Sequence, residues 1–101
     1  MEMLMITAAR VPSGTGEPTH LCVGLADSES TTWKREPAVQ PVEEVLDAIE
    51  HGHRAMIRKP AGNGFSLGPE IVRQALSTGG ATVGFKAADA TLRDWSDLPA
   101  C

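Results

Sequence analysis

Four groupings in this chain combine residue types and spacings that bear on chemistry. His20 and Cys22 stand two apart, which on a strand places an imidazole and a thiol on one face, close enough for the imidazole to favour a thiolate. A thiol nucleophile also needs an orienter for its base and donors at the oxyanion position, and no glycine-rich turn follows Cys22 to offer backbone N–H groups. Cys22 therefore reads as an inert structural cysteine beside an ordinary strand histidine. His51 and His53 flank Gly52 next to Glu50, and with Cys22 or Cys101 they could supply metal ligands, but the spacing fits no zinc framework. A histidine in a last helical turn already has a role at the negative end of the helix dipole. The third grouping, Gly62-Asn63-Gly64-Phe65-Ser66-Leu67-Gly68, invites a phosphate-loop reading that its spacing refuses. Leu67 stands where a dinucleotide fingerprint needs glycine, and no Gly-Lys-Ser/Thr follows, so a hairpin turn is expected. Ser13, Ser66 and Ser77 lie in turns without a nucleophile elbow. No catalytic residue, no cofactor and no metal ligand is assigned.

The fourth grouping is basic and aromatic. Lys34 and Arg35 follow Trp33, and Arg54, Arg58 and Lys59 cluster further on. Rings that stack bases beside arginines that hold phosphates make a nucleic-acid patch; the same charges on an edge strand guard against aggregation. Trp33, between Thr32 and Lys34, is the better contact residue of the two tryptophans, and Trp95 the better core residue. Trp33, Lys34, Arg35 and Arg58 are the candidate partner-binding residues.

The elements that must carry these groups can be read from hydrophobic period and turn chemistry. Apolar residues over 3–11, a Pro/Gly-rich break and alternation over 19–25 predict a hairpin with Leu21, Val23 and Leu25 inward. Asp27-Ser28-Glu29-Ser30 is turn chemistry, and 31–35 is expected to be a charged edge strand ended by Pro37 and Pro41. Val42, Val45, Leu46 and Ile49 recur at i, i+3, i+4 and i+7 behind Pro41, which predicts an amphipathic helix over 41–51 stopped by Gly52. A strand over 54–59 leads to the glycine-rich turn and to 65–67. Pro69 opens a possible second helix over 69–77, a stretch that a strand would also satisfy. Ala81, Val83 and Phe85 point inward from a strand over 81–86. Thr91 to Asp94 has the spacing of a helix start, so that Leu92, Trp95 and Leu98 fold back on the core in one helical turn before Pro99. The fold class is α+β: one domain with a small, mostly antiparallel sheet of four to five strands.

Composition bounds the function. The chain has 101 residues and 10.7 kDa, 42% hydrophobic and 22% charged, which suits one domain with a modest core. A net charge of -4 and a pI near 5.2 argue against a protein that coats nucleic acid or anionic membrane, although a local patch survives that argument. Two cysteines are too few for a disulfide framework, and Cys101 falls at a frayed end, so both are expected as reduced thiols in the cytoplasm. The opening run, acidic and short, is expected to start a strand and not to serve as a signal peptide or span.

Several fragments read together. Ile6-Thr7-Ala8-Ala9-Arg10 in the first strand, a second strand from His20, a helix ending His51-Gly52, and Leu98-Pro99 near the end resemble a small bacterial family, domain of unknown function three-eight-nine-two. That family begins Ile-Thr-x-Val-Arg and ends Asp-Asn-Leu-x-x-Leu-Pro. Here Arg93, Asp94 and Trp95 stand at its Asp, Asn and Leu, while the apolar spacing and final Leu-Pro match. The resemblance covers nearly the whole chain and implies no known activity. The expectation is a non-enzymatic protein-interaction module that binds a protein partner or itself. The alternative is a nucleic-acid-associated accessory protein using Trp33, Lys34, Arg35 and Arg58.

Overall fold

The computed structural model describes residues 2–13, 16–27, 32–61, 64–86 and 95–101. Of the expected turns at 27–30 and 60–64, residues 28–30 and 62–63 lie outside the described residues, as does the helix start at 91–94 with Leu92, while Asp27, Pro60, Ala61 and Gly64 belong to strands and not to turns. Among those described, the strands are β1 (Glu2–Arg10), β2 (His20–Asp27), β3 (Arg35–Pro41), β4 (Ala55–Ala61), β5 (Gly64–Ala75) and β6 (Ala81–Phe85). They form one sheet in the order β3-β2-β1-β4-β5-β6. A single helix, α1 (Val42–Glu50), crosses one face, and a short 3-10 turn spans Trp95–Asp97. The class is α+β, as expected, but with six strands where four to five were predicted. The sheet is also mixed, because β1 pairs with β4 in parallel while the other four neighbouring pairs are antiparallel.

β1 is central, and its sequence says why: Met3, Leu4, Met5 and Ile6 are all buried, a continuous apolar run suited to a strand covered on both faces. Leu4 and Ile6 face the helix-side core with Leu21, Val23, Ala55, Ile57, Ile71 and Val83. Met3 and Met5 face the other side, against Ala26, Trp33 and Met56. Opposite β2 the pairing slips between Ile6/Val23 and Ala8/Cys22, leaving Thr7 as an extra residue. That bulge resets the alternation, so that Ala9 joins Ile6 in the helix-side core.

α1 forms where the period predicted it. Pro41 is its N-cap, Glu43 and Glu44 sit in its first turn, and Val42 and Val45 are buried with Leu46 and Ile49 packed partly against the core. Gly52 takes a φ of +95°, which ends the helix cleanly because glycine carries no Cβ to clash there. Because β3 and β4 run the same way, α1 carries the chain across the sheet from its edge to the far side of β1.

Two expectations need correcting. The stretch expected as a helix over 69–77 is strand as far as Ala75: Ile71, Val72, Arg73, Gln74 and Ala75 pair rung by rung with β6. Its apolar spacing is too short to separate the two periods, and the β-branched Ile71 and Val72 favour the strand. Pro69 is tolerated since, with Gly68, it forms a bulge opposite Ile57, beyond the last β6 rung at Ile71/Phe85. The edge strand is also not 31–35 but Arg35–Pro41, and Pro37 lies inside it. Glu36 and Pro37 together oppose Gly24, so the proline occupies a bulge on an edge, where a missing N–H costs no ladder bond. Trp95 and Leu98 are buried as expected, Trp95 with its ring centre 4.6 Å from that of Phe85.

Candidate interaction surface

The four candidate partner-binding residues do not share one environment. Arg58, on β4, is only 7% exposed. Its guanidinium carbon lies 4.1 Å from the Trp33 ring centre and 3.9 Å from that of Phe65, so two rings hold it between them. That arrangement is built by register: Gly24 on β2 leaves the space into which Trp33 settles. A Cβ on Gly24 would lie 2.5 Å from the Trp33 ring and 2.9 Å from the Arg35 carbonyl. Trp33 is thus half-buried above Met3, Met5 and Ala26, where an exposed edge residue was expected.

Lys34 and Arg35 are exposed. Lys34 donates its backbone N–H to the Leu25 carbonyl (2.9 Å) and its ammonium to the Glu2 carboxylate. Arg35 opens β3. Arg54 bonds Glu70 at 2.6 Å, which holds the Glu70 carboxyl below its usual range. Of the basic residues clustered in the sequence, Lys34 and Arg54 are ion-paired, Arg58 is enclosed by rings, and Arg35 is exposed.

β3 is the outer strand on its side of the sheet. Ala9 gives its N–H and C=O to residues 99 and 101, so its pair with Leu21 is of the non-hydrogen-bonded kind, and Leu21 must bond Gln40 on β3. By alternation the peptide groups of Val39 point outward from the sheet. Its side chain, 47% exposed, is the most exposed large apolar one among the described residues. The sequence reading missed Val39 because it ended the edge strand at Pro37.

His20 and Cys22 do share a face of β2, and the His20 ring meets the Thr19 hydroxyl at 3.0 Å. An open cavity of about 340 Å³ lies beside His20, between Glu17, Thr19, Glu43 and Thr82. His51 and His53 are exposed, and the His51 ring lies 2.7 Å from the Asp47 carbonyl. No group of three metal-ligating side chains occurs among the described residues. Cys22 lies opposite Ala8 on one side of β1, and Cys101 follows Ala100, which bridges Ala9 on the other side. Burial first, and then the neighbouring Cys22 thiol, push the Cys101 thiol up to about 12. No helix among the described residues is long and apolar enough to cross a membrane. No known protein family, curated protein or solved structure matches the chain.

Proposed function

We propose that this chain is a non-enzymatic protein-interaction module that takes up an extended, acidic segment of a partner protein along the free edge of β3. The observation that carries this reading is Val39, an exposed apolar side chain on an outer strand whose peptide groups face outward. Strand addition supplies main-chain hydrogen bonds for affinity and uses side chains on one face for selection. Trp33, Lys34 and Arg35 form the shoulder at which the segment enters; Lys34 is held by Glu2, and the exposed Arg35 guanidinium favours acidic residues there. Arg58 acts from below, as the positioning residue that holds Trp33.

The nucleic-acid alternative loses support from the same geometry. One face of the Trp33 ring is taken by Arg58, Lys34 and Arg54 are ion-paired, and the chain is acidic overall. The test is amide chemical-shift mapping of the whole chain with extended acidic peptides and, separately, with single-stranded oligonucleotides. The proposal expects peptide-induced shifts confined to Arg35–Pro41 and its neighbours, weakened by Val39→Lys and by added salt. Shifts centred elsewhere, tighter binding of the oligonucleotide, or self-association abolished by Val39→Lys would replace it.

A further inference from the structure

The cavity beside His20 lies between two distant parts of the sheet. On one side stands Thr19, where the chain enters β2, and on the other Leu76 and Thr82, which flank the turn from β5 into β6. The start of α1 spans the gap. Its Val42 N–H bonds to the Thr19 carbonyl at 3.1 Å, while the body of the helix packs on β5 and β6. The enclosed space of about 340 Å³ falls at the lower end of the range that small ligands occupy. Leu46 gives it an apolar wall continuous with the core, and Leu76 gives it another, half-buried yet belonging to neither core cluster.

Charge in the lining is one-sided. Glu17 and Glu43 both line the cavity, and among the described residues no lysine or arginine does. The exposed Glu43 carboxylate has no ion pair or side-chain hydrogen bond among those residues. The helix start does not reverse the sign, because its Val42 N–H is already bonded and Glu43, in the first turn, offsets the positive end of the dipole. We propose that this cavity binds a small organic ammonium ion, its apolar body between Leu46 and Leu76 and its cationic head at the Glu43 carboxylate, with Glu17 adding to the negative field. Burial of the body supplies affinity, and the carboxylate selects the head. Val39 does not line the cavity, so this site stands apart from the β3 edge.

Probes that share one apolar body and differ in the head test this: cyclohexylamine, charged at neutral pH, neutral cyclohexanol and anionic cyclohexanecarboxylate. Each is titrated into the full chain to millimolar concentrations at constant pH and ionic strength, and amide chemical shifts are followed. The amine should give saturable shifts centred on Thr19, His20, Glu43, Leu46, Leu76 and Thr82, and the alcohol should bind about threefold more weakly or less. Glu43→Gln, at an exposed position, should weaken the amine about threefold and leave the alcohol unchanged. Absence of saturable shifts at these residues, equal binding of amine and alcohol, or an amine affinity that Glu43→Gln leaves unaltered would overturn the proposal. Tighter binding of the carboxylate would also overturn it, giving the cavity to anions at the start of α1.

Discussion

Arg58 shows how far a side chain's role can depart from its type. A charged residue is rarely buried unless something takes the place of water, and here two aromatic faces do so. Arg58→Ala should lower stability by about 2 kcal/mol in denaturant unfolding, since a desolvated cation–π contact and the packing of the arginine stem are both lost. Arg58→Lys keeps the charge but not the flat group that fits between rings, so it should recover little of the loss. Full recovery by lysine would show that charge, not stacking, is what matters. Sequence reasoning put Arg58 on the surface because arginines usually are; the ring at position 65 and the gap at Gly24 that admits Trp33 become partners only through register. The docking of residues 99–101 beside Ala9 of β1 was hidden in the same way, because no local pattern places them there.

His51 gives a pH-dependent test at the same scale. Its pKa is raised, first by the hydrogen bond to the Asp47 carbonyl and then by the Asp47 charge, so the protonated ring is favoured in the folded chain. The stabilisation is fully present below the ordinary value of 6.5 and is lost as pH rises through the folded value above it. An NMR titration should place the His51 midpoint above that of a histidine peptide, and His51→Gln should abolish the matching pH-dependent part of stability. A midpoint at or below the peptide value would show that the ring does not donate to Asp47.

Among elements, α1 was legible because four apolar residues keep the 3.6 period between a proline and a glycine that bound the helix. The β1–β2 hairpin was legible through alternation. β5 was not, since a short apolar stretch behind a proline suits a helix start as well as a bulged strand, and pairing with β6 decided it. β3 was displaced because two prolines were read as stops, whereas an edge accommodates them. Near the C-terminus Trp95 and Leu98 are buried as the spacing predicted, while Leu92 lies outside the described residues. Trp95 packs on Phe85 and is 6% exposed, so Trp95→Ala should cost about 3 kcal/mol or more in thermal or chemical unfolding. A variant that unfolds with the parent would mean that the C-terminal segment contributes little to the core.

At the scale of the whole molecule, the sheet is closed at β1 by neighbours on both sides and open at β3. Pro37 and its bulge shorten that edge, which limits promiscuous pairing and leaves the stretch around Val39 as the place where a strand can add. Amide hydrogen exchange, followed residue by residue with and without a saturating acidic peptide, tests this most directly. In the free chain the Val39 amide should exchange fast while that of Gln40, turned toward β2, is protected, and the peptide should slow Val39 by about tenfold or more. A Val39 amide already protected in the free chain, or one whose rate the bound peptide leaves unchanged, would contradict it.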